Sequence, residues 1–349
     1  MTVVKVNASN TYDIIIGENL LNDLGRYSKD AIGVCKICIV TDDTVNALYG
    51  DRAEKALTSY GFEAIRFVIK HGEASKNTAN LVELLEFLAK NRLTRSDAIV
   101  ALGGGVVGDL AGFAAAVYLR GIKFIQAPTT LLAAVDSSVG GKTAVDLVEG
   151  KNLMGAFHQP SLVLCDYKTL DTLSDGIFAD GCAEVIKYAV INDKDLFETL
   201  KLGIKNNLEQ IIARCVSNKA DIVQKDEFDL GCRQLLNLGH TTGHAIETLS
   251  DFKISHGSAV AIGTVIAMEI ACYLGVCDKE EKDELISLLV AEGLPTECEY
   301  SAEQLAEIAS TDKKRDGASI SFVVPYGIGN CQLVKIPVCD LAQFIAKGL

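Results

Sequence analysis

Residues 97–102, Asp-Ala-Ile-Val-Ala-Leu, run directly into Gly103-Gly104-Gly105-Val106-Val107-Gly108-Asp109 and then into an Ala-rich stretch. An apolar run closed by glycines and followed by helical spacing predicts strand, tight turn and helix in that order. Glycines there let backbone N–H groups approach a pyrophosphate, and the helix N-terminus adds positive partial charge. The stretch contains G-x-G-x-x-G literally, but Gly121, Ile122 and Lys123 stand where a Rossmann unit places its ribose-binding acid. Asp42, just after the apolar run 35–40, is the better candidate for that role. A tight structural turn with Asp42 as a cap is the alternative.

Around this turn the first half alternates strand-like runs (12–16, 35–40, 63–69, 98–102, 123–127) with helical stretches at 81–88 and 110–118. That is the α/β pattern of a mainly parallel sheet. The texture changes near 160–175, and from 178 onward the spacing is mostly helical, at 183–190, 196–200, 208–223, 259–274 and 279–291. Only 319–324 and 331–334 look extended, separated by a Pro-Tyr-Gly-Ile-Gly turn, which predicts a short hairpin. A chain of 349 residues exceeds the usual single core. The expected division is an α/β domain over 1–168 and an α-helical domain over 169–349.

A net charge of -13 argues against nucleic acid, since the densest basic run is only Lys313-Lys314-Arg315. No membrane partner is expected either, because no apolar run reads as long enough to span a bilayer. The start lacks the regions of a signal peptide, so a cytoplasmic protein is expected. Eleven cysteines, scattered singly and odd in number, read as reduced thiols. Cys35-Lys36-Ile37-Cys38 has the CxxC form but sits within a strand-like run, which predicts burial rather than redox or zinc chemistry.

Three of the five histidines, His240, His244 and His256, fall within seventeen residues. On a helix His240, His244 and Glu247 share one face, where they could meet a metal or an anion or simply face solvent. Glu184 and Lys187, three apart in an apolar segment, are either an ion pair or a ligand and a substrate-binding cation. Glu184 with two histidines makes a one-carboxylate, two-imidazole set suited to a catalytic zinc that keeps one position open. Arg120, Lys123, Lys142, Lys151, Lys168 and Lys187 supply cations, and Val139-Gly140-Gly141-Lys142 and Glu149-Gly150-Lys151-Asn152 set an ammonium beside glycine turns suited to phosphate or carboxylate.

Taken together, Gly103 to Asp109, Val135-Asp136-Ser137-Ser138-Val139-Gly140-Gly141-Lys142-Thr143, Gly181 to Tyr188, Leu236 to Glu247 and His256-Gly257 resemble the 3-dehydroquinate synthase family, over nearly the whole chain. The resemblance implies an α/β N-terminal NAD-binding domain with a mainly parallel sheet, a mostly α-helical C-terminal metal-binding domain, and an active site in the cleft between them. It implies metal ligands Glu184, His240 and His256, for zinc or cobalt, with His244 facing substrate. NAD contacts would be Asp42, Gly72-Glu73-Ala74-Ser75-Lys76, Gly105-Val106-Val107-Gly108-Asp109, Thr129, Thr130, Lys142, Lys151 and Thr169-Leu170-Asp171-Thr172. Substrate contacts would be Arg120, Asp136, Lys142, Lys151, Asn152, Lys187, Arg233, Asn237, His244 and one of Lys313 or Lys314.

The family reaction turns 3-deoxy-D-arabino-heptulosonate 7-phosphate into 3-dehydroquinate by transient oxidation, β-elimination of phosphate, re-reduction and aldol closure, within the shikimate pathway that leads to chorismate and the aromatic amino acids. A homodimer is implied. Two departures stand out: Ser258 follows His256-Gly257 where the family commonly has Glu, and Thr242 stands where Phe is frequent. Three other readings are another sugar phosphate cyclase, a polyol dehydrogenase of the same fold, and a catalytically silent NAD-binding protein with structural zinc. Arg233, Asn237 and His244 suit a carboxylate-bearing substrate and favour the synthase. The turn Gly103-Gly104-Gly105-Val106 lacks the serine typical of polyol dehydrogenases, and a silent protein would not need the whole cation set.

Overall fold

The computed structural model describes residues 1–310, 315–316 and 318–349. Lys313 and Lys314 lie outside the described residues. Two compact units result, Met1–Leu173 with Lys219–Phe228, and Ser174–Asn218 with Asp229–Leu349. The division expected at 168/169 falls inside the 3-10 turn Tyr167–Thr172, and the helix Leu208–Lys225 is shared between the units.

The first unit holds a seven-stranded sheet, made of β1 (Thr2–Asn7), β2 (Thr11–Gly17), β3 (Lys36–Asp42), β4 (Glu63–Ile69), β5 (Ala98–Gly103), β6 (Lys123–Pro128) and, after the hairpin β7 (Lys142–Leu147) and β8 (Gly150–Phe157), β9 (Leu162–Asp166). The spatial order is β1-β2-β9-β6-β5-β3-β4, parallel throughout except β1 on β2. Side chains alternate between two cores, as the strand period requires. Cys38, Val40, Ile99 and Ala101 face Leu81, Leu84, Leu88, Val107 and Leu110, whereas Ile37, Ile39, Val100 and Leu102 face Leu24, Ala53 and Leu57. This is a doubly wound α/β layer with helices on both faces.

From β3 the chain steps outward to β4, then returns past β3 to β5 and continues to β6, so the strand order reverses between β3 and β5. In open α/β sheets ligands bind beyond the carboxyl ends of the strands at such a reversal. Asp42 ends β3 and Gly103 ends β5, which sets both sequence candidates at that one point.

Two readings need correction here. The stretch 160–175 contains β9, a fully buried strand between β2 and β6, because Leu162-Val163-Leu164-Cys165 is short and too uniformly apolar to show a period. The glycine turns expected beside Lys142 and Lys151 lead into the antiparallel hairpin β7–β8, two strands that the sequence reading did not include. Of Cys35-x-x-Cys38, Cys38 is buried in β3 as expected, whereas Cys35 is half-buried just ahead of it; burial pushes the thiols up to about 12 and about 11 respectively.

Among its described residues the second unit is mostly helical, with the strands β10 (Arg315–Asp316), β11 (Ser319–Pro325) and β12 (Cys331–Pro337), of which β11 and β12 pair as the expected hairpin. At its centre lies the helix His256–Tyr273, in contact with the helices Asp175–Asn192, His240–Leu249 and Lys279–Ala291. By length and apolarity this helix could cross a membrane, contrary to the reading of the sequence, yet 72% of it is buried inside the protein. Two glycines permit the close packing. A Cβ on Gly263 would lie 2.0 Å from the carbonyl oxygen of Gly239, and one on Gly257 would lie 2.3 Å from the Cα of Asp180.

Candidate active site

Glu184 lies near the middle of the helix Asp175–Asn192, whose first turn is capped by the Ser174 hydroxyl. Its side chain is 0% exposed, in contact with Lys187 one turn on. The expected alternative of a surface ion pair is therefore corrected: the pair is buried, with Lys187 only 1% exposed and its ammonium 5.1 Å from the Tyr188 ring centroid.

Two imidazoles converge on the same carboxylate, with Nε2 of His256 at 3.3 Å and Nε2 of His240 at 3.6 Å from Glu184 Oε1. Each ring is held from behind. His240 Nδ1 lies 3.0 Å from the Leu238 carbonyl oxygen, and His256 Nδ1 lies 3.1 Å from Glu247 Oε2. With Nδ1–H donating to those acceptors, both Nε2 atoms are turned toward Glu184, the kind of outer contact that orients histidine ligands on metals.

The residues fit a divalent metal on three counts. One ligand atom each from Glu184, His240 and His256 lies within 4.8 Å of the others. The donor set is one carboxylate and two imidazoles, matching zinc or cobalt with a position left open. Both Glu184 oxygens are buried without a hydrogen bond among the described residues; Oε2 has the Lys187 ammonium beside it, whereas Oε1 faces the two imidazoles, a placement that is costly without a positive charge there. Charge agrees: burial opposes protonation of His256, but Glu184 and Glu247 outweigh it and hold the ring up to about 10. The space between these carboxylates thus favours a positive charge.

His244, one turn after His240, has its ring centroid 5.3 Å from that of His240 and 6.0 Å from that of His256. Glu247, which the sequence grouped with His240 and His244, has His256 as its partner. Arg233 and Asn237 stand at two places of the 3-10 turn Cys232–Asn237 just ahead of His240, and Arg233 is 1% exposed. The second unit therefore gathers Glu184, Lys187, His240, His244 and His256, with Glu247, already grouped with His240 and His244 in the sequence, behind His256.

In the first unit Asp42 accepts a hydrogen bond from the Val45 N–H at 2.9 Å, so one of its oxygens plays the capping part considered as the alternative. Gly104 precedes the helix Gly105–Val117, which begins without a side-chain cap, leaving its first-turn N–H groups available to an anion. Thr129 and Thr130 follow directly on β6. The Thr130 hydroxyl accepts from the Ala133 N–H at 3.2 Å, while the buried Thr129 hydroxyl has no hydrogen-bond partner among the described residues.

Gly72-Glu73-Ala74-Ser75-Lys76 forms a 3-10 turn that delivers Lys76, 6% exposed, to three carboxylates. Its Nζ lies 2.8 Å from Glu73, 3.3 Å from Asp109 and 3.9 Å from Asp146. Burial raises the Asp109 carboxyl to about 6 in spite of Lys76, and burial likewise opposes ionisation of Glu73, which Lys76 nevertheless pulls below the usual range. Asp146 joins this cluster unforeseen, since it lies in β7, and it also accepts from the Asn152 N–H at 2.7 Å.

Thr169, Leu170, Asp171 and Thr172 belong to the 3-10 turn Tyr167–Thr172, where Tyr49 Oη lies 2.8 Å from the Thr172 hydroxyl. Lys142 opens β7 and Lys151 follows the start of β8, so the hairpin carries both at its two strands. Arg120 ends a short turn with φ of 69°, directly after Leu119 at 50°, a backbone held in a sparsely populated region. Asp136 pairs with Lys219, whose Nζ also donates to the Asp136 carbonyl oxygen at 2.8 Å. Lys219 lies well past the cations noted in the sequence, on a helix whose end packs in the first unit.

A doubly wound α/β unit followed by a helical unit with a buried carboxylate and two oriented imidazoles defines a metal-dependent enzyme class. Family models described as 3-dehydroquinate synthase N-terminal and C-terminal match residues 66–180 and 181–315. The chain belongs to the 3-dehydroquinate synthase family. A relative of that name from Clostridium acetobutylicum is 42% identical over 343 residues, covering 96% of each chain.

Among solved structures, a 2-deoxy-scyllo-inosose synthase complexed with carbaglucose-6-phosphate, NAD+ and Co2+ superposes with a TM-score of 0.88 at 26% identity over 100% of both chains. A 2-epi-5-epi-valiolone synthase from Streptomyces hygroscopicus subsp. jinggangensis 5008, with NAD+ and Zn2+ bound, gives 0.88 at 27% identity, covering 99% of this chain and 97% of the other.

Proposed function

We propose that the chain is a 3-dehydroquinate synthase, a carbon–oxygen lyase that converts 3-deoxy-D-arabino-heptulosonate 7-phosphate to 3-dehydroquinate and phosphate. The observation that carries this reading is the convergence of His240 and His256 on the buried Glu184, in a chain 42% identical to a synthase of that name over nearly its full length. Glu184, His240 and His256 hold the metal, zinc or cobalt, and the first unit holds NAD at Asp42, Gly105 to Asp109, Thr129, Thr130 and the Lys76 cluster. NAD supplies a hydride acceptor that is restored within each turnover, and the metal supplies Lewis acidity at the hydroxyl being oxidised.

The remaining roles belong to side chains. Lys187 neutralises Glu184 until the metal does so, and its ammonium is then available to the substrate. Arg233, Asn237 and His244 bind the carboxylate and hydroxyls, while Arg120, Lys142, Lys151 and Asn152 orient the phosphate and stabilise the charge that builds as it leaves. This local cation set reconciles a substrate with two anionic groups, a carboxylate and a phosphate, with a net charge of -13.

Eleven cysteines scattered singly along the chain support a reducing, cytoplasmic setting, and a homodimer, implied by the resemblance, completes the reading. Identity favours the synthase over another sugar phosphate cyclase, since the cyclases above stand at 26% and 27%. The test is phosphate release from the heptulosonate phosphate with NAD present, with and without chelator. Metal-dependent release without net NADH is expected. Release only from other sugar phosphates, or NADH accumulating as product, would assign one of the alternatives instead.

A further inference from the structure

Asp180 stands one turn before Glu184 on the helix Asp175–Asn192, so the two carboxylates leave the same side of one rigid element. Its Oδ1 accepts from the Ser255 hydroxyl at 2.5 Å and from the Ser258 N–H at 3.2 Å, and the Ser255 and Ser258 hydroxyls lie 2.8 Å apart. Ser255 is the residue before the helix His256–Tyr273 and is of a type that ordinarily caps its own helix, yet here it makes no such bond. The cap is supplied from a neighbouring helix instead, with the negative charge that a helix N-terminus favours.

The backbones meet at the same place. A Cβ on Gly257 would lie 2.3 Å from the Cα and 2.4 Å from the carbonyl oxygen of Asp180, so no side chain separates the two helices there. The residue between Ser255 and Gly257 is His256, whose imidazole must reach Glu184 Oε1 at 3.3 Å. Asp180 itself is not among the groups whose ligand atoms converge on the metal position. One helix thus presents a ligand through Glu184 and, one turn earlier, fixes where the helix bearing a second ligand begins.

We infer that Asp180 is a positioning residue for the metal centre, setting His256 against Glu184 by capping the His256 helix across the helix–helix contact. This rests on the assignment of Glu184, His240 and His256 as metal ligands. The test is Co2+ affinity of the full-length protein, measured by competition with a chromophoric chelator, together with the visible Co2+ spectrum and the thermal midpoint, for wild type, Asp180→Ala, Asp180→Asn, Ser255→Ala and His256→Ala. Asp180→Ala is expected to weaken Co2+ binding roughly 10-fold or more and to alter the visible band, in line with the effect of losing groups that orient ligands.

Asp180→Asn keeps an oxygen to accept from the Ser258 N–H and is expected to recover most of that loss. Wild-type affinity and spectrum in Asp180→Ala, or equal impairment in Asp180→Asn, would overturn the inference. If Asp180→Ala does not fold, Ser255→Ala decides, because it removes one of the two contacts: a several-fold loss supports the inference and unchanged affinity overturns it. His256→Ala separates the two layers, since unchanged binding there defeats the ligand assignment itself.

Discussion

Glu247 Oε2 lies 3.1 Å from Nδ1 of His256, nine residues further along, so a buried carboxylate decides which nitrogen the imidazole turns toward Glu184. Removing that acceptor frees the ring to rotate and lowers its basicity. Glu247→Ala is expected to weaken zinc or cobalt binding about 10- to 100-fold. Glu247→Gln, which can still accept from Nδ1–H, is expected to lose less; chelator competition distinguishes the two, and equal affinities for all three proteins would contradict the role.

Lys187 and Glu184 form a buried ion pair, and breaking such a pair from one side leaves an uncompensated charge. Lys187→Ala should therefore lower the thermal midpoint of metal-free protein markedly and that of metal-loaded protein much less. Turnover, followed as phosphate release, is expected to drop about 100-fold or more if the ammonium stabilises developing charge. Wild-type turnover in a folded Lys187→Ala would remove it from the site.

Asp109 gives a pH dependence with a definite sign. Burial lifts its folded value to about 6, above the 3.8 of an unhindered aspartate, with Lys76 opposing. The folded state therefore holds the proton more tightly than the unfolded state, and this group's contribution to stability falls as pH rises from about 4 to about 6, by at most roughly 3 kcal/mol. Asp109→Asn abolishes that titration, so the stability of wild type relative to the variant, measured by urea unfolding, is expected to decline across the same window and level off above it. A difference independent of pH would show that Asp109 does not titrate there.

Gly257→Ala probes packing alone. The added methyl meets the Asp180 backbone, which has no soft side chain to yield. Overpacking of this kind costs about 1–3 kcal/mol and should appear both in the thermal midpoint and as weaker metal binding. An alanine variant with unchanged midpoint would mean that the helices can separate freely.

Some parts of this fold are written in short stretches of chain and are legible there. The apolar runs of β3 and β5, the glycine turn after Leu102 and the β11–β12 hairpin follow from local chemistry. β9 is hidden because four apolar residues between Ser161 and Asp166 are too few to show any period. In the site, the histidine cluster and Glu184 announce themselves by residue type, whereas Lys219 facing Asp136, Asp146 beside Lys76, and Asp180 beneath Ser255 join residues far apart in the chain. Nothing local marks those partners, because their pairing is a product of how the helices and strands pack.

The helix His256–Tyr273 has no polar face to show to water, and much of what covers it is made after it. Leu285, Leu288 and Leu289 on the next helix are buried, and Gly348, far downstream, sits so close that a Cβ would lie 2.5 Å from the carbonyl oxygen of Ile266. During synthesis this segment must therefore remain uncovered until those later residues leave the ribosome. His256, proposed above as a metal ligand, is thus carried on a segment that stays open to aggregation and to chaperones while the rest of its cover is made.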